Sequence, residues 1–302
     1  MLFRATDRLY ETTDKVFSVV ECRTCHMMRL SPRPDPLELR QYYPEQYWHV
    51  PEEDIASRFA ELYRRFVLRD HVRFAQQAVD HTGTKGPLLD VGCGGGLFLK
   101  MMRERGYQGI GLDFSISAAG VAWEINQAPT VCASLSQAPF AAESCAAITM
   151  FHVLEHLYDP MLYLESAHRL LRPEGRLVIQ TPNAASWQFL LLGEHWRGLE
   201  VPRHLWNYKA KDLEILLDRT GFDLVRTKHF SLRDNPACLA TSIAPSLDPT
   251  VRGVRGMAET PNRKLWRDLL YFGLVVGCVP FTMLESLCRA GGTVMMEARK
   301  KP

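Results

Sequence analysis

The stretch LLDVGCGGGLFLKMM, residues 88–102, holds the densest set of residues that could do chemistry. An apolar run closes on Asp90 and Val91, four glycines and Cys93 fill positions 92–96, and a helical pattern begins near Leu97. Glycines admit left-handed backbone and let a ligand approach the chain closely. The helix start offers unpaired N–H groups to a carboxylate or phosphate. The spacing, with Gly92, Gly94 and Gly96 on alternate positions, is not the G-x-G-x-x-G of dinucleotide sites. A second run, GIGLDFS, ends at Asp113 and Phe114. A carboxylate there can accept both hydroxyls of a ribose. Loop and acid together read as a site for a nucleoside-type ligand, and a nicotinamide-dependent oxidoreductase shares those two features.

Three other groups compete for attention. His152, Glu155 and His156 form H-x-x-E-H, the inverted zinc-peptidase pattern, which on a helix would place both histidines on one face. Cys22, Cys25 and His26 form C-x-x-C-H, the spacing of c-type haem attachment, and C-x-x-C alone is half of a zinc site. The loop EHWRGLEVPRHLWNY, residues 194–208, gathers His195, Trp196, Arg197, Arg203, His204 and Trp206. An imidazole there could touch a substrate and take its proton, or the tryptophans could simply cap the core.

The elements that must position these residues follow from hydrophobic pattern. Apolar runs PLLDV, GIGLD, TVCA, AAITMF, GRLVIQT and FDLVRTKHF alternate with helical patterns near 96–105, 116–127, 159–171 and 209–220. Alternation of strand and helix with buried strands predicts an α/β fold on a parallel sheet covered on both faces. Residues 51–84 read as a helical lead-in, and 37–48 as a short aromatic-rich helix and turn. After residue 235 a Pro/Ser-rich loop leads to LWRDLLYFGLVVGCVPFTMLESL and a final strand TVMMEARK. Leu269 to Leu284 is a 16-residue stretch without a charge, with Pro280 expected to interrupt it. It reads as a packed helix pair, as a helix lying on a lipid surface, or as a span.

The chain has 302 residues, 46% hydrophobic and 23% charged, with a formal net charge of +2. Near balance and without a basic run, it lacks the phosphate-neutralising charge of a nucleic-acid binder. The start MLFRATDRLYETTDK has no apolar signal core, and the eight cysteines are mostly dispersed in apolar surroundings, which points to reduced thiols in the cytoplasm.

In order and spacing, LLDVGCGGG, GIGLDFS, APFAAESCAAITMFHVLEHLYDP and LLRPEGRLVIQTPN resemble the class I S-adenosylmethionine-dependent methyltransferases, and PRHLWNYKAKDLEILLDRTGF and MMEARK resemble them too. The resemblance covers roughly 85–230 and implies a Rossmann-like sheet of order 3-2-1-4-5-7-6, the seventh strand antiparallel. It implies S-adenosylmethionine as cofactor, its amino-acid end on the loop of Asp90, Gly92, Cys93, Gly94 and Gly96. Asp113 would hold the ribose beside Phe114, the turn Ala133, Ser134 and Leu135 would flank the adenine, and Phe151 and His152 would face the methyl-donor side. Ser134 replaces the acid common at the adenine turn, and Ala146 the Asp that often opens strand four. The loop 194–208 falls where the family builds part of its acceptor pocket.

Some members carry two C-x-x-C knuckles that share one zinc, and FSVVECRTCHMMRLSPRPDP is similar to the second knuckle. Either the start is truncated relative to those members or the module persists as metal-free packing, so no metal is expected. The division expected is an extension at 1–50, a lead-in at 51–84 and a methyltransferase domain at 85–302, with an apolar helical insertion at 235–290. The acceptor expected is a small quinone-like, polyketide, sugar-linked or lipid molecule, with O-methylation favoured and His204, His195 and His152, in that order, as candidate bases. A non-catalytic S-adenosylmethionine-binding protein shares the same signature. The apolar stretch at 265–289 is the candidate membrane or lipid contact of an otherwise cytoplasmic protein.

Overall fold

The computed structural model of the protein describes residues 1–44 and 55–301. Tyr47 and Trp48 of the aromatic segment lie outside the described residues, as does the side chain of Phe59. Among the described residues eleven strands form two sheets. The first is antiparallel and small: β1 (Phe3–Ala5), β2 (Phe17–Glu21) and β3 (Met28–Ser31), joined by β9 (Trp206–Asn207) from much later in the chain.

The second sheet contains β4 (Leu88–Val91), β5 (Gly109–Asp113), β6 (Thr130–Cys132), β7 (Cys145–Phe151), β8 (Leu171–Pro182), β10 (Phe222–Lys228) and β11 (Thr293–Lys300). Its order is β10-β11-β8-β7-β4-β5-β6, with β11 antiparallel to both neighbours and β4 to β8 parallel. Counted from β4, this is the expected 3-2-1-4-5-7-6. Alternate residues of each strand feed opposite faces. Leu89, Ile148 and Leu177 pack with α5 (Pro160–Leu170) and α7 (Ala210–Arg219), while Leu88 and Ala147 pack with α2 (Ile55–Asp80) and α3 (Leu97–Arg103). Alongside α3, Ala122 of α4 (Ile116–Asn126) completes that second layer. The parallel strands all end on one edge of the sheet, which gathers the chemistry-bearing residues.

Two stretches differ from expectation. The segment after residue 235 forms a helix, α8 (Asn235–Ile243), rather than a loop. Pro236 sits in the first turn, where no N–H is needed, and Cys238, Leu239 and Ala240 are buried. The apolar stretch is one helix, α10 (Pro261–Leu287), of 27 residues, and Pro280 does not end it. The carbonyl that Pro280 leaves without its donor belongs to Val276, an exposed residue, so water can satisfy it. Short helices α1 (Pro36–Gln41), α6 (Trp187–Leu192) and α9 (Pro249–Val254) complete the set.

Inward, α10 places Val275, Cys278, Thr282 and Glu285 against the protein, with Leu239 and Ala240 of α8. Glu285 Oε1 accepts hydrogen bonds from Gln188 Nε2 at 2.6 Å and the Gly292 amide at 3.1 Å, which fastens the helix to α6 and to the approach of β11. The N-terminal segment is fastened as firmly. Buried Arg203 donates to both oxygens of Asp7, at 3.1 and 2.6 Å, and lies 3.3 Å from Glu200. The N-terminal strands and the loop 194–208 therefore share one sheet and one apolar cluster, built on Phe17, Val19, Leu30, Trp196, Leu199 and Leu205.

Candidate active site

The glycine loop leaves β4 with Gly92, Gly94 and Gly96 all at positive φ, +70°, +50° and +75°. A Cβ at Gly92 would stand 2.7 Å from Val153 Cγ2, so only glycine lets the loop lie this close to the end of β7. Asp113 fixes the loop: its Oδ2 accepts from the Gly94 amide at 3.0 Å and its Oδ1 from Ser115 at 2.9 Å. Each oxygen keeps a lone pair for a further donor. Burial raises the Asp113 carboxyl and those amides lower it in part. Asp90 lies beneath the loop, buried, accepting from Thr149 Oγ1 at 2.6 Å, and burial pushes it up to about 7. The Cys93 side chain is buried beside Gly111, and its thiol is pushed up by the same cause.

Around the loop the other expected residues divide. Phe114 is exposed, 6.5 Å edge-on from the ring of Tyr43. Ser134 opens a short turn, its hydroxyl 3.3 Å from Ser136 Oγ and donating to Gln137 Oε1 at 3.3 Å, whereas Leu135 is wholly buried in the main core. Phe151 packs edge-on against Phe98 and His71.

His152 terminates β7 with φ +56°, and the residues after it form a single 3-10 turn, Leu154–His156. The H-x-x-E-H segment is thus not a helix, and its two histidines diverge. His152 Nδ1 is 3.1 Å from Glu155 Oε1, and its Nε2 lies 3.1 Å from Gln180 Nε2 and 3.6 Å from Asp234 Oδ1. Asp234 in turn accepts from Gln180 Nε2 at 2.7 Å and Ser231 Oγ at 2.6 Å. His71 Nε2 stands 3.2 Å from Asp234 Oδ2, outside the alignment of a hydrogen bond. Burial disfavours the His152 imidazolium, but the Asp234 and Glu155 carboxylates outweigh it and hold the ring up to about 9. The His152 side chain is 26% exposed, so the ring can be reached from outside.

His156 points the other way, with Nδ1 2.9 Å from Tyr43 Oη and the ring 4.6 Å edge-on from His204. His204 is buried, its Nδ1 at 2.8 Å from the Gly198 carbonyl, and burial with the nearby His156 drives it down to about 4. It is sealed into the packing of its loop. His195 is exposed on the flank by β1, its carbonyl accepting from Arg8. Of the three candidate bases, only His152 sits at the strand ends. Glu155, His156 and His204 bring one ligand atom each within 4.8 Å of one another, the one group among the described residues that could gather around a metal ion.

Sequence reasoning missed Asp234, Gln180, His71 and Tyr43. Gln180 lies in GRLVIQT, where a polar residue inside a buried strand was the available signal. Asp234 and His71 gave none, because their importance comes from elements distant in the chain.

A family model described as a methyltransferase domain matches residues 59–227. The Ubiquinone biosynthesis O-methyltransferase of Ruegeria pomeroyi is 31% identical over 167 residues, 49% of this chain and 66% of that protein, just under two thirds of its length. The protein of the same name from Pectobacterium carotovorum is 28% identical across 65% of this chain and 84% of its own. Two solved structures share the fold. A putative sarcosine dimethylglycine methyltransferase from Galdieria sulphuraria has a TM-score of 0.54 at 16% identity, over 87% of this chain and 98% of that one. Geranyl diphosphate C-methyltransferase from Streptomyces coelicolor has 0.51 at 17%, over 84% and 87%. With the strand order, the glycine loop and the family match in agreement, the chain belongs to the class I S-adenosylmethionine-dependent methyltransferases.

Proposed function

We propose that the protein methylates a hydroxyl of a small, largely apolar acceptor, with His152 receiving the hydroxyl proton. The observation that carries this reading is the pairing of a reachable imidazole at the end of β7 with two carboxylates, Glu155 and Asp234. S-Adenosylmethionine, when bound, supplies a methyl group already activated on sulfonium. The protein must hold the acceptor in line and exclude water, and a base is needed only for a protonated acceptor.

The residues present fit that cofactor. Gly92, Gly94 and Gly96 give a loop free of Cβ atoms, Asp113 retains a lone pair on each oxygen for the ribose hydroxyls, and Phe114 and Ser134 offer an apolar face and a hydroxyl where the adenine would lie. Leu135 and Asp90 support that surface from beneath. Glu155 orients His152 through Nδ1, leaving Nε2, which in the neutral ring accepts from the Gln180 amide and faces Asp234, as the atom that takes the proton. Asp234 raises the basicity of that nitrogen and stabilises the imidazolium once formed. The relatives named for ubiquinone biosynthesis and O-methylation support a quinol-like or other phenolic acceptor. The same reading takes 85–302 as the methyltransferase domain, 51–84 as its lead-in and 235–290 as the insertion, with Asp234 in the loop just before it.

The test is transfer of labelled methyl from S-adenosylmethionine to a panel of alkylated phenols and catechols, against matched carboxylates and amines. The reading requires phenol turnover that His152→Ala lowers at least about a hundredfold. Cofactor binding without turnover of any acceptor would favour a non-catalytic binding protein.

A further inference from the structure

We propose that the outward face of α10, continued by α2, docks on the surface of an anionic lipid bilayer. Along α10 the outward positions include Trp266, Leu269, Leu270, Phe272, Val276 and Leu284, all more than half exposed, and no charge interrupts the stretch from Leu269 to Leu284. Phe272 meets Tyr63 of α2 edge-on at 6.1 Å, which extends the patch onto the exposed Leu62 and Phe66. An apolar surface of this extent marks a docking site rather than ordinary surface scatter.

Its border is basic. Arg263 and Lys264 lie exposed at one end of α10, Arg289 just past the other, and Arg69 stacks over Phe66 on α2. Among the described residues none of these four has an acidic group within ion-pair distance, whereas the acids near the same end, Glu259 and Asp268, are held by Arg252 and Arg267. A basic rim around a Trp- and Leu-rich face complements the negative surface of an anionic bilayer. A second copy of the chain fits less well. Packed antiparallel on this face, Arg263 and Lys264 would meet the partner's Arg289, and packed parallel they would meet themselves.

The helix lies on the bilayer and does not cross it. Its length and apolar composition suit a span, but its inner stripe is committed to α8, and fully buried Glu285 is bonded to Gln188 and Gly292. Spanning would tear those bonds and put Glu285 into hydrocarbon.

The proposal stands apart from the identity of the acceptor, and its test needs no turnover. The protein is mixed with phosphatidylcholine vesicles, with and without phosphatidylglycerol, and bound protein is measured by flotation. Two double variants, L269S/L270S and R263E/K264E, change exposed side chains only, and calorimetric titration with S-adenosylmethionine checks that both remain folded. The wild type is expected to float with the anionic vesicles, to release as salt rises, and to lose about tenfold or more in partition in each variant. Wild type that stays off both vesicle types overturns the proposal, as does flotation that both variants leave unchanged. A lipid-free dimer in light scattering that L269S/L270S dissolves would assign the face to a second copy instead.

Discussion

Nε2 of His152 lies 3.6 Å from Oδ1 of Asp234, which ties the tip of β7 to the segment inserted between β10 and β11. Glu155 holds the other ring nitrogen, so the imidazole has a carboxylate on each side. Asp234 is itself braced by Gln180 and Ser231, and its carboxyl sits well below the ordinary range because Arg233, His152 and His71 outweigh its burial. It stays charged throughout the pH range in which the ring titrates.

For phenol turnover, kcat/KM should therefore rise with pH through about 9 and level off above it, once His152 is neutral. Asp234→Asn should move that rising limb toward the ordinary imidazole value of about 6.5 while leaving S-adenosylmethionine affinity within about threefold. A pH–rate series on both proteins checks it, and a limb that stays in place would remove Asp234 from the mechanism.

The same pair contributes to stability with a defined sign. His152 binds its proton more tightly folded than unfolded, so this contribution is complete below about pH 6.5 and is lost as pH rises through about 9. Thermal unfolding followed from pH 6 to pH 10 should show a fall in Tm across that window, and Asp234→Asn should flatten it.

Asp113→Ala removes the acceptor that holds the Gly94 and Ser115 amides. Cofactor affinity should drop more than tenfold and stability by about 1–3 kcal/mol, since both amides lose a charged partner. Asp113→Asn, which keeps one accepting oxygen, should fall between. Calorimetric titration and denaturant unfolding of the three proteins decide it.

Gly92→Ala places a methyl against Val153 Cγ2 at 2.7 Å and at a φ that disfavours any side chain. We expect weaker cofactor binding and a stability loss of about 1–3 kcal/mol. Val153→Ala in the same chain should restore part of both, because it removes the clash and leaves only the backbone strain. A double-mutant cycle separates the two.

Arg203→Met should cost about 3–5 kcal/mol, because Asp7 and Glu200 would be left charged and buried. Burial opposes ionisation of Glu200, but His204, Arg197 and Arg203 bring it down to about 2, so its contribution holds above about pH 4.5 and is lost as pH falls toward 2. Acid unfolding of the wild type should begin in that window, and equilibrium unfolding at pH 7 measures the loss in the variant.

Legibility in the sequence followed locality. The glycine loop and Asp113 were readable because each rests on spacing within one or two elements, and the strand order followed from the family resemblance that those motifs carry. The segment NPACLATSI reads as a loop by composition, yet Pro236 falls in a helix's first turn and the apolar residues behind it find α10. FHVLEH would put both histidines on one face only as a helix, and instead the strand runs up to Phe151 and left-handed His152 turns the chain there. Density of histidines ranked His204 and His195 first, and the fold buried one and turned the other to the flank. The partner that gives His152 its character came from a loop no motif marks.

The pairing of β3 with β9 makes the two halves of this protein unequal as exchangeable parts. The cofactor half closes on itself, strand to neighbouring strand, and could be traded among relatives as a cassette. The loop 194–208 cannot travel alone: its backbone completes a sheet begun by residues 3–31, and its arginine is matched to Asp7. Chimeras that exchange this loop for a relative's will need that relative's N-terminal segment as well, and the two stretches have to drift together.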